Sequence, residues 1–146
     1  MPKKLPDNSV VTFKIITEFS EKLCNEAACL FAAAGWISEA GEGGFLRKAL
    51  PGSCAVAGAF APDGRLVGIA RALSDGVSDA YIQDVTVDTN YRKQGIGGTL
   101  VDFLADELAL RGIDWIGLVG VPGTEKFYAN LGFEAQDGHT LWLRNK

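Results

Sequence analysis

The residues best spaced for chemistry lie in one run, Val87-Asp88-Thr89-Asn90-Tyr91-Arg92-Lys93-Gln94-Gly95-Ile96-Gly97-Gly98-Thr99. A β-type segment ends at Val87, the chain turns, and a helical pattern begins through Arg-x-x-Gly-x-Gly-Gly. Glycines let the backbone bend tightly and approach a ligand with no Cβ in the way. The first amides of a helix have no internal partner and sit at the positive end of its dipole. Amides arranged like this bind an anion, and a diphosphate suits them well. Arg92 and Lys93 add cationic donors to a chain whose formal charge is −4.

Several chemistries use such a loop. A nucleotide P-loop needs Gly-x-x-x-x-Gly-Lys-Ser/Thr, and no Lys-Ser or Lys-Thr follows these glycines. A dinucleotide fingerprint needs Gly-x-Gly-x-x-Gly; Gly95 and Gly97 supply two positions, but Leu100 stands at the third. The remaining ligand reading is the pyrophosphate loop of an acyl-CoA enzyme, led by Arg92. The plain alternative is a glycine turn that only caps a helix.

The elements that must hold this loop are legible from hydrophobic periodicity. Val10–Ile16 reads as a first strand. Ser20–Ala34 reads as a helix, with Leu23, Ala27, Leu30, Phe31 and Ala34 at helical spacing and Gly35 as its stop. Glu42–Leu50 reads as a short helix ended by Pro51. Ser53–Ala61 and Leu66–Leu73 form a hairpin through Pro62-Asp63-Gly64-Arg65. Ala80–Val87 is a strand, and Gly97–Arg111 a helix with Leu100, Leu104 and Leu108 on one stripe. Ile113–Val121 is a buried-type strand, Thr124–Leu131 a short helix, and Phe133–Arg144 a last hairpin through Asp137-Gly138. This order implies an α+β mixed sheet in a single domain, with residues 1–9 as a flexible N-terminal segment.

Composition narrows the functional classes. The chain has 146 residues, 47% hydrophobic and 22% charged, as a globular domain does. A net negative charge argues against nucleic-acid binding and gives weak steering of a cationic substrate. The uncharged run from Ala49 to Pro62 is short and broken by Pro51 and Gly58, so no membrane span is expected. The start of the chain is polar, with no secretory leader, and a cytoplasmic location is the expectation. Cys24, Cys29 and Cys54 make an odd set without metal-ligand spacing, and His139 is the one histidine, so no metal site is expected.

With the loop and the element order in hand, a resemblance emerges. Arg92-Lys93-Gln94-Gly95-Ile96-Gly97 resembles the Gln/Arg-x-x-Gly-x-Gly/Ala motif of the GNAT superfamily of acyl-CoA-dependent N-acetyltransferases. Phe127-Tyr128-Ala129-Asn130-Leu131-Gly132-Phe133 resembles that family's Phe-Tyr-x-x-x-Gly-Phe segment. Leu66–Arg71 and Ile82–Val87 fit the flanking strands, and the likeness runs over roughly residues 10–144. It implies a sheet splayed between its fourth and fifth strands, flanked by helices, with acetyl-CoA in the gap. By resemblance, the backbone of Val85 and Val87 pairs with the pantetheine arm. The amides from Gln94 through Gly95, Ile96 and Gly97 to Gly98 cradle the pyrophosphate, helped by Arg92, Lys93 and the Thr99 hydroxyl. A backbone N–H near Val85 faces the developing oxyanion, and Tyr128 is the general acid for the leaving thiolate.

Two positions depart from the family pattern. Some relatives carry Glu or His where Gln83 stands, and glutamine cannot act as a base. A water relay ending at Asp84 or at a backbone carbonyl is the expected substitute. Strand alternation places Tyr81 and Gln83 on one face and Asp84 on the other unless a bulge re-aims them. The loop Val119–Thr124 lacks the asparagine that holds pantetheine in many relatives.

The other candidates read as follows. His139 is expected in a solvated turn, and Trp115 and Trp142 as packing residues. Trp36, Phe31 and Phe45 are either core or acceptor-pocket wall. Asp75, Asp79 and Glu42 are solvated carboxylates or a weak draw for a cationic amine, and Cys54 has no histidine to activate it. The implied activity is transfer of an acetyl group from acetyl-CoA to a primary amine of a small molecule, by direct attack in a ternary complex. The strand Gln83–Val87 resembles both amino-sugar-phosphate and plant-type serotonin acetyltransferases. Protein lysine or N-terminal acetylation and a non-catalytic acyl-CoA sensor are the alternatives, and a homodimer through the last hairpin is a possible assembly.

Overall fold

The computed structural model describes Met1–Lys146. Six strands form one sheet in sequence order. They are β1 (Pro2–Lys4), β2 (Val10–Ile15), β3 (Ala55–Phe60), β4 (Leu66–Ser74), β5 (Asp79–Val87) and β6 (Trp115–Leu118). Four helices accompany them: α1 (Glu21–Ala33), α2 (Leu46–Ala49), α3 (Ile96–Leu110) and α4 (Glu125–Ala129). Neighbouring strands are antiparallel except β5 and β6, which are parallel. A parallel pair needs a crossover, and α3 supplies it.

Local signals explain the helix limits. Ser20 caps α1 by accepting the Leu23 N–H at 3.1 Å. α3 closes at Gly112, whose φ of +88° a side chain would strain. Two apolar layers hold the sheet. On one face Ile96, Leu100, Leu104 and Leu108 of α3 are buried against Ala57, Ala59, Val67 and Ala70. On the other, Ala27, Leu30 and Phe31 of α1 and Leu46 pack on Val56 and Ile69. Small residues along β3 and β4 let both helical layers approach closely. A Cβ on Gly68 would lie 2.9 Å from Leu100 Cδ1 and 3.3 Å from Ala59 Cβ.

The structure corrects several sequence expectations. Residues 1–9 are not a free segment: Pro2–Lys4 pairs with Val10–Thr12, Leu5 is buried, and the Met1 ammonium donates to the Phe13 carbonyl at 2.9 Å. The strand at Val10 is therefore the second, and the family's fourth and fifth strands correspond to β5 and β6. The helix expected over Glu42–Leu50 is a 3-10 turn, Ala40–Phe45, running into α2. Gly43 fixes that turn against α1, since a Cβ there would lie 2.4 Å from Ala28 Cβ. β6 is only four residues long, and no hairpin follows α4. The turn at Gln136–His139 forms, with the His139 N–H on the Gln136 carbonyl at 3.2 Å, but its flanks do not pair. So short an edge strand is a poor template for another. Trp142, expected to pack, is 87% exposed, and Trp115 is half-exposed beside Tyr81. All three cysteines are free; only Cys24 is buried, and Cys29 is exposed.

Because β3, β4 and α3 meet at Gly68 without room for a methyl, Gly68→Ala should destabilise the protein by about 1–3 kcal/mol. A chemical denaturation series should show a lower midpoint with an unchanged slope; an unchanged midpoint would mean that α3 yields freely.

Candidate active site

β5 and β6 pair only from Asp79↔Trp115 to Ile82↔Leu118. Beyond Ile82 the two strands part, so Gln83–Val87 has no neighbouring strand on that side. The parting coincides with a bulge. Arg71 faces Gln83 and Ile69 faces Thr86, which leaves Ala70 alone opposite Asp84 and Val85. Ala80 and Ile82 point into the α3 core, and after the bulge Val85 and Val87 do so instead. The bulge thus shifts the alternation by one residue. It carries Asp84 onto the face of Gln83 and Arg71, and not onto the opposite face that plain alternation gives.

The gap opens into a cleft of about 550 Å³. One wall is the end of β5, with Val85, Thr86 and Val87. The floor is the loop into α3, with Arg92, Lys93, Gly95, Ile96, Gly97 and Gly98. Lys93 and Gly95 both have positive φ, +61° and +78°, and alternation of this kind makes a concave run of amides. The first helical bond is Thr99 N–H to the Gly95 carbonyl, 3.1 Å. The amides of Ile96, Gly97 and Gly98 therefore precede the α3 ladder and lack a partner within it. The Asp88 carboxylate braces the approach, accepting from the Asn90 N–H at 2.9 Å and from Arg65 at 3.1 Å. This contact holds the Arg65 guanidinium above its ordinary pKa. Arg92 Nε donates to the Val87 carbonyl at 2.9 Å, which pins its guanidinium at the end of β5.

The electrostatics of this end are unusual. Acidic side chains normally favour the first turn of a helix. α3 has none there, while Arg92, Lys93 and Lys3 gather at it. Lys3 was invisible to sequence reasoning. It arrives because β1 pairs with β2, and its ammonium donates to the Gly95 carbonyl at 3.2 Å and to Thr99 Oγ1 at 3.1 Å. Only that long-range pairing signals it. A helix start that collects cations and no acid is suited to an external anion.

α4 forms the far wall. Thr124, Phe127 and Tyr128 line the cleft, and Phe127 lies 3.5 Å from where a Cβ of Gly97 would stand. Tyr128 is wedged between Phe127 and Phe133, edge-on to both at 4.9 and 6.0 Å. Its half-burial pushes the phenol above its ordinary value of 10.0. The ring therefore holds its proton at neutral pH.

Most of the expected site residues thus meet in one cleft, though not all. Gln94 does not line the cleft, and its side-chain amide donates to the Asn90 carbonyl at 3.4 Å. The Thr99 hydroxyl is engaged on the flank with Lys3 and Gly95. Gln83 is exposed, and the Asp84 carboxylate is bound to Arg71. Trp36 joins the cleft wall beside Ala33 and Ala34, with its ring edge-on to Phe31 at 4.9 Å. Phe31 is core, and Phe45 is half-exposed beside it. Asp75 and Glu42 stay in local turns, where Asp75 accepts the Val77 N–H at 2.8 Å and Glu42 the Ser38 N–H at 3.1 Å, and Asp79 opens β5, where its carboxylate accepts from the Ser78 hydroxyl at 3.0 Å. His139 is exposed, and no three metal-ligand side chains cluster.

The sequence model of the acetyltransferase (GNAT) family matches residues 23–133. The chain belongs to the GNAT acetyltransferase family. Histone acetyltransferase TAP1 of Glycine max is 46% identical over 71 residues, covering 49% of this chain and 31% of that protein. The chloroplastic serotonin N-acetyltransferase 2 of Oryza sativa subsp. japonica is 37% identical over 70 residues, covering 48% and 35%. The chain spans about a third of the length of these curated relatives. Among solved structures, a GNAT-family acetyltransferase from Streptococcus pneumoniae has a TM-score of 0.74 at 24% identity, covering 93% of this chain and 99% of that one. An aminoglycoside N-acetyltransferase AAC(6')-Iy solved with CoA also scores 0.74, at 15% identity over 97% and 99%. At these identities the likeness is one of fold, a GNAT-like mixed sheet in an α+β chain.

The burial of Tyr128 has a spectroscopic consequence. The tyrosinate absorbance step that Tyr128→Phe removes should lie above the ordinary phenol value. Between that value and the raised one the folded state keeps a proton the unfolded chain has lost, so stability falls as pH rises there. A step at or below the ordinary value would contradict the burial.

Proposed function

We propose that this protein transfers an acetyl group from acetyl-CoA to a primary amine, with the cleft between β5, the α3 loop and α4 as its active site. The observation that carries this reading is the cation-rich, acid-free start of α3, set between the open edge of Val85–Val87 and the half-buried Tyr128. The cradle fits the ligand: unpaired amides for a pyrophosphate, an unpaired strand edge for an amide-bearing arm, and a protonated phenol near the far wall. Acetyl-CoA, when bound, supplies an acetyl group on a thioester.

The residues then have separable tasks. The amides of Ile96–Gly98, with Arg92, Lys93 and the flanking Lys3, hold the phosphates. Val85 and Val87 orient the arm by backbone pairing, and an N–H near Val85 donates to the carbonyl oxygen as charge develops on it. The amine nitrogen bonds to the acetyl carbon as the carbon–sulfur bond breaks, and Tyr128 gives its proton to the leaving sulfur. The amine sheds its protons to water, one of which restores the phenol. Gln83 carries no basic group and Asp84 is ion-paired, so a backbone carbonyl of the open β5 edge is the favoured anchor for the water that takes these protons, and the proton not returned to the phenol passes to solvent. Trp36 and the end of α1 border the acceptor side, which suits a small molecule with an apolar body.

A second reading, acetylation of a protein lysine or N-terminus, is favoured by one finding, the likeness to the Glycine max histone acetyltransferase. Thiol release should be followed with acetyl-CoA against small amines and lysine-bearing peptides. Small amines should turn over, with Tyr128→Phe at least tenfold slower; turnover of peptides alone would move the acceptor to protein. CoA binding without turnover would make the chain a sensor. Separately, Gly97→Glu places a carboxylate beside the phosphates and against Phe127, and calorimetry should show CoA affinity abolished. Unchanged affinity would put the cofactor elsewhere.

A further inference from the structure

Asp84 is the residue on which the β5 bulge turns, and it is held in an uncommon way. Its φ is +58°, in the left-handed region that aspartate tolerates better than most side chains but still at a cost. Arg71 Nε donates to Asp84 Oδ2 at 2.5 Å, with the two side chains only 15% and 27% exposed. Arg71 is fixed from a second direction, since its Nη1 donates to Ser53 Oγ at 3.3 Å, and Ser53 donates in turn to the Ala49 carbonyl at 2.8 Å. One guanidinium thus ties the bulged residue of β5 to the neighbouring strand and to the end of α2. In a strand, successive peptide groups point to opposite neighbours, so an extra residue exchanges which amides face the gap.

We propose that Arg71 and Asp84 are a positioning pair for acetyl transfer, whose ion pair locks the β5 bulge so that an amide near Val85 is aimed into the gap at the thioester oxygen. The inference rests on the acetyl-transfer reading and adds to it two residues that need not touch the reacting atoms. It gives Asp84 a task other than accepting the amine's proton. Loss of the pair loosens the aim of the amide while leaving the α3 phosphate cradle intact, so turnover falls and acetyl-CoA affinity does not.

The test compares the wild type with Arg71→Met, Arg71→Lys and Asp84→Asn, using acetyl-CoA and an amine the wild type accepts. Arg71→Met keeps the aliphatic stem and should lower kcat at least tenfold with KM for acetyl-CoA within threefold. Arg71→Lys should recover part of the loss. Asp84→Asn removes the charge of the pair while tolerating the same φ, so kcat should fall about three- to tenfold, with KM for acetyl-CoA within threefold and the acid limb of the pH–rate profile kept. Amide hydrogen exchange on the free protein gives a readout independent of activity. Exchange at Asp84–Val87 should quicken at least tenfold in Arg71→Met, with Leu100–Leu108 unchanged. Wild-type kcat and exchange in Arg71→Met would overturn the proposal. So would an acid limb erased in Asp84→Asn, which would make the carboxylate the proton acceptor. A wild type that turns over no amine would sink the acetyl-transfer reading instead, and the exchange rates would then decide whether the clamp exists. Should Arg71→Met not fold, Arg71→Lys and Asp84→Asn carry the same comparison.

Discussion

Two strands that begin parallel and then part create the cleft of this protein. β5 and β6 share backbone bonds over Asp79–Ile82 and none beyond. A sheet edge left open inside a fold exposes unpaired donors and acceptors, which is normally a liability. Here it is placed where an amide-bearing ligand can complete it. The bulge at Asp84 and Val85 lies just past the end of the pairing, and the loop after Val87 then delivers the start of α3 to the same gap. If β6 followed β5 to its end, the edge would be filled and the cleft would close.

The remaining architecture reads as support for that parting. Small residues along β3 and β4 bring α3 close to the sheet, so its amino end is rigidly aimed. The Leu100, Leu104 and Leu108 stripe fixes the helix from one side. Asp88, with Arg65 and the Asn90 amide, fixes the turn that precedes it. α4 stands across the gap and keeps Tyr128 half-dry. A phenol so placed stays protonated, and donors in such a site act more strongly than in water. The charge pattern agrees with this arrangement: an acidic chain concentrates three cations at one helix start.

The chemistry the fold supports depends on what each wall offers. On the proposed reading, the α3 loop and the strand edge are backbone devices, so they would recognise an anion and an extended arm with little regard to side chains. On that same reading, selectivity for the acceptor would fall to the other wall, where Trp36 and the end of α1 stand, and to the exposed face of β5. A family fold of this kind can keep one donor and vary its acceptors by changing only that second wall.

Much of this was legible in the sequence, for reasons that can be named. The glycine loop could be read because Gly95 and Gly97 answer to local backbone demands, and a local demand leaves a local pattern. The helices showed through period and caps, as with Ser20 and Gly112. The Phe-Tyr segment showed through its resemblance to the family's motif. What the sequence could not show depends on partners far along the chain. Lys3 reaches the α3 start only because β1 pairs with β2. Asp84 changes face only because Ala70 stands opposite two residues, and its carboxylate meets Arg71 across the ladder. The last segment has a turn but no neighbour long enough to order it as a strand. Residue types and spacing alone determined the glycine loop that opens α3, since its geometry is local; tertiary structure decided which side chains surround it, because strand register and parting are properties of pairs.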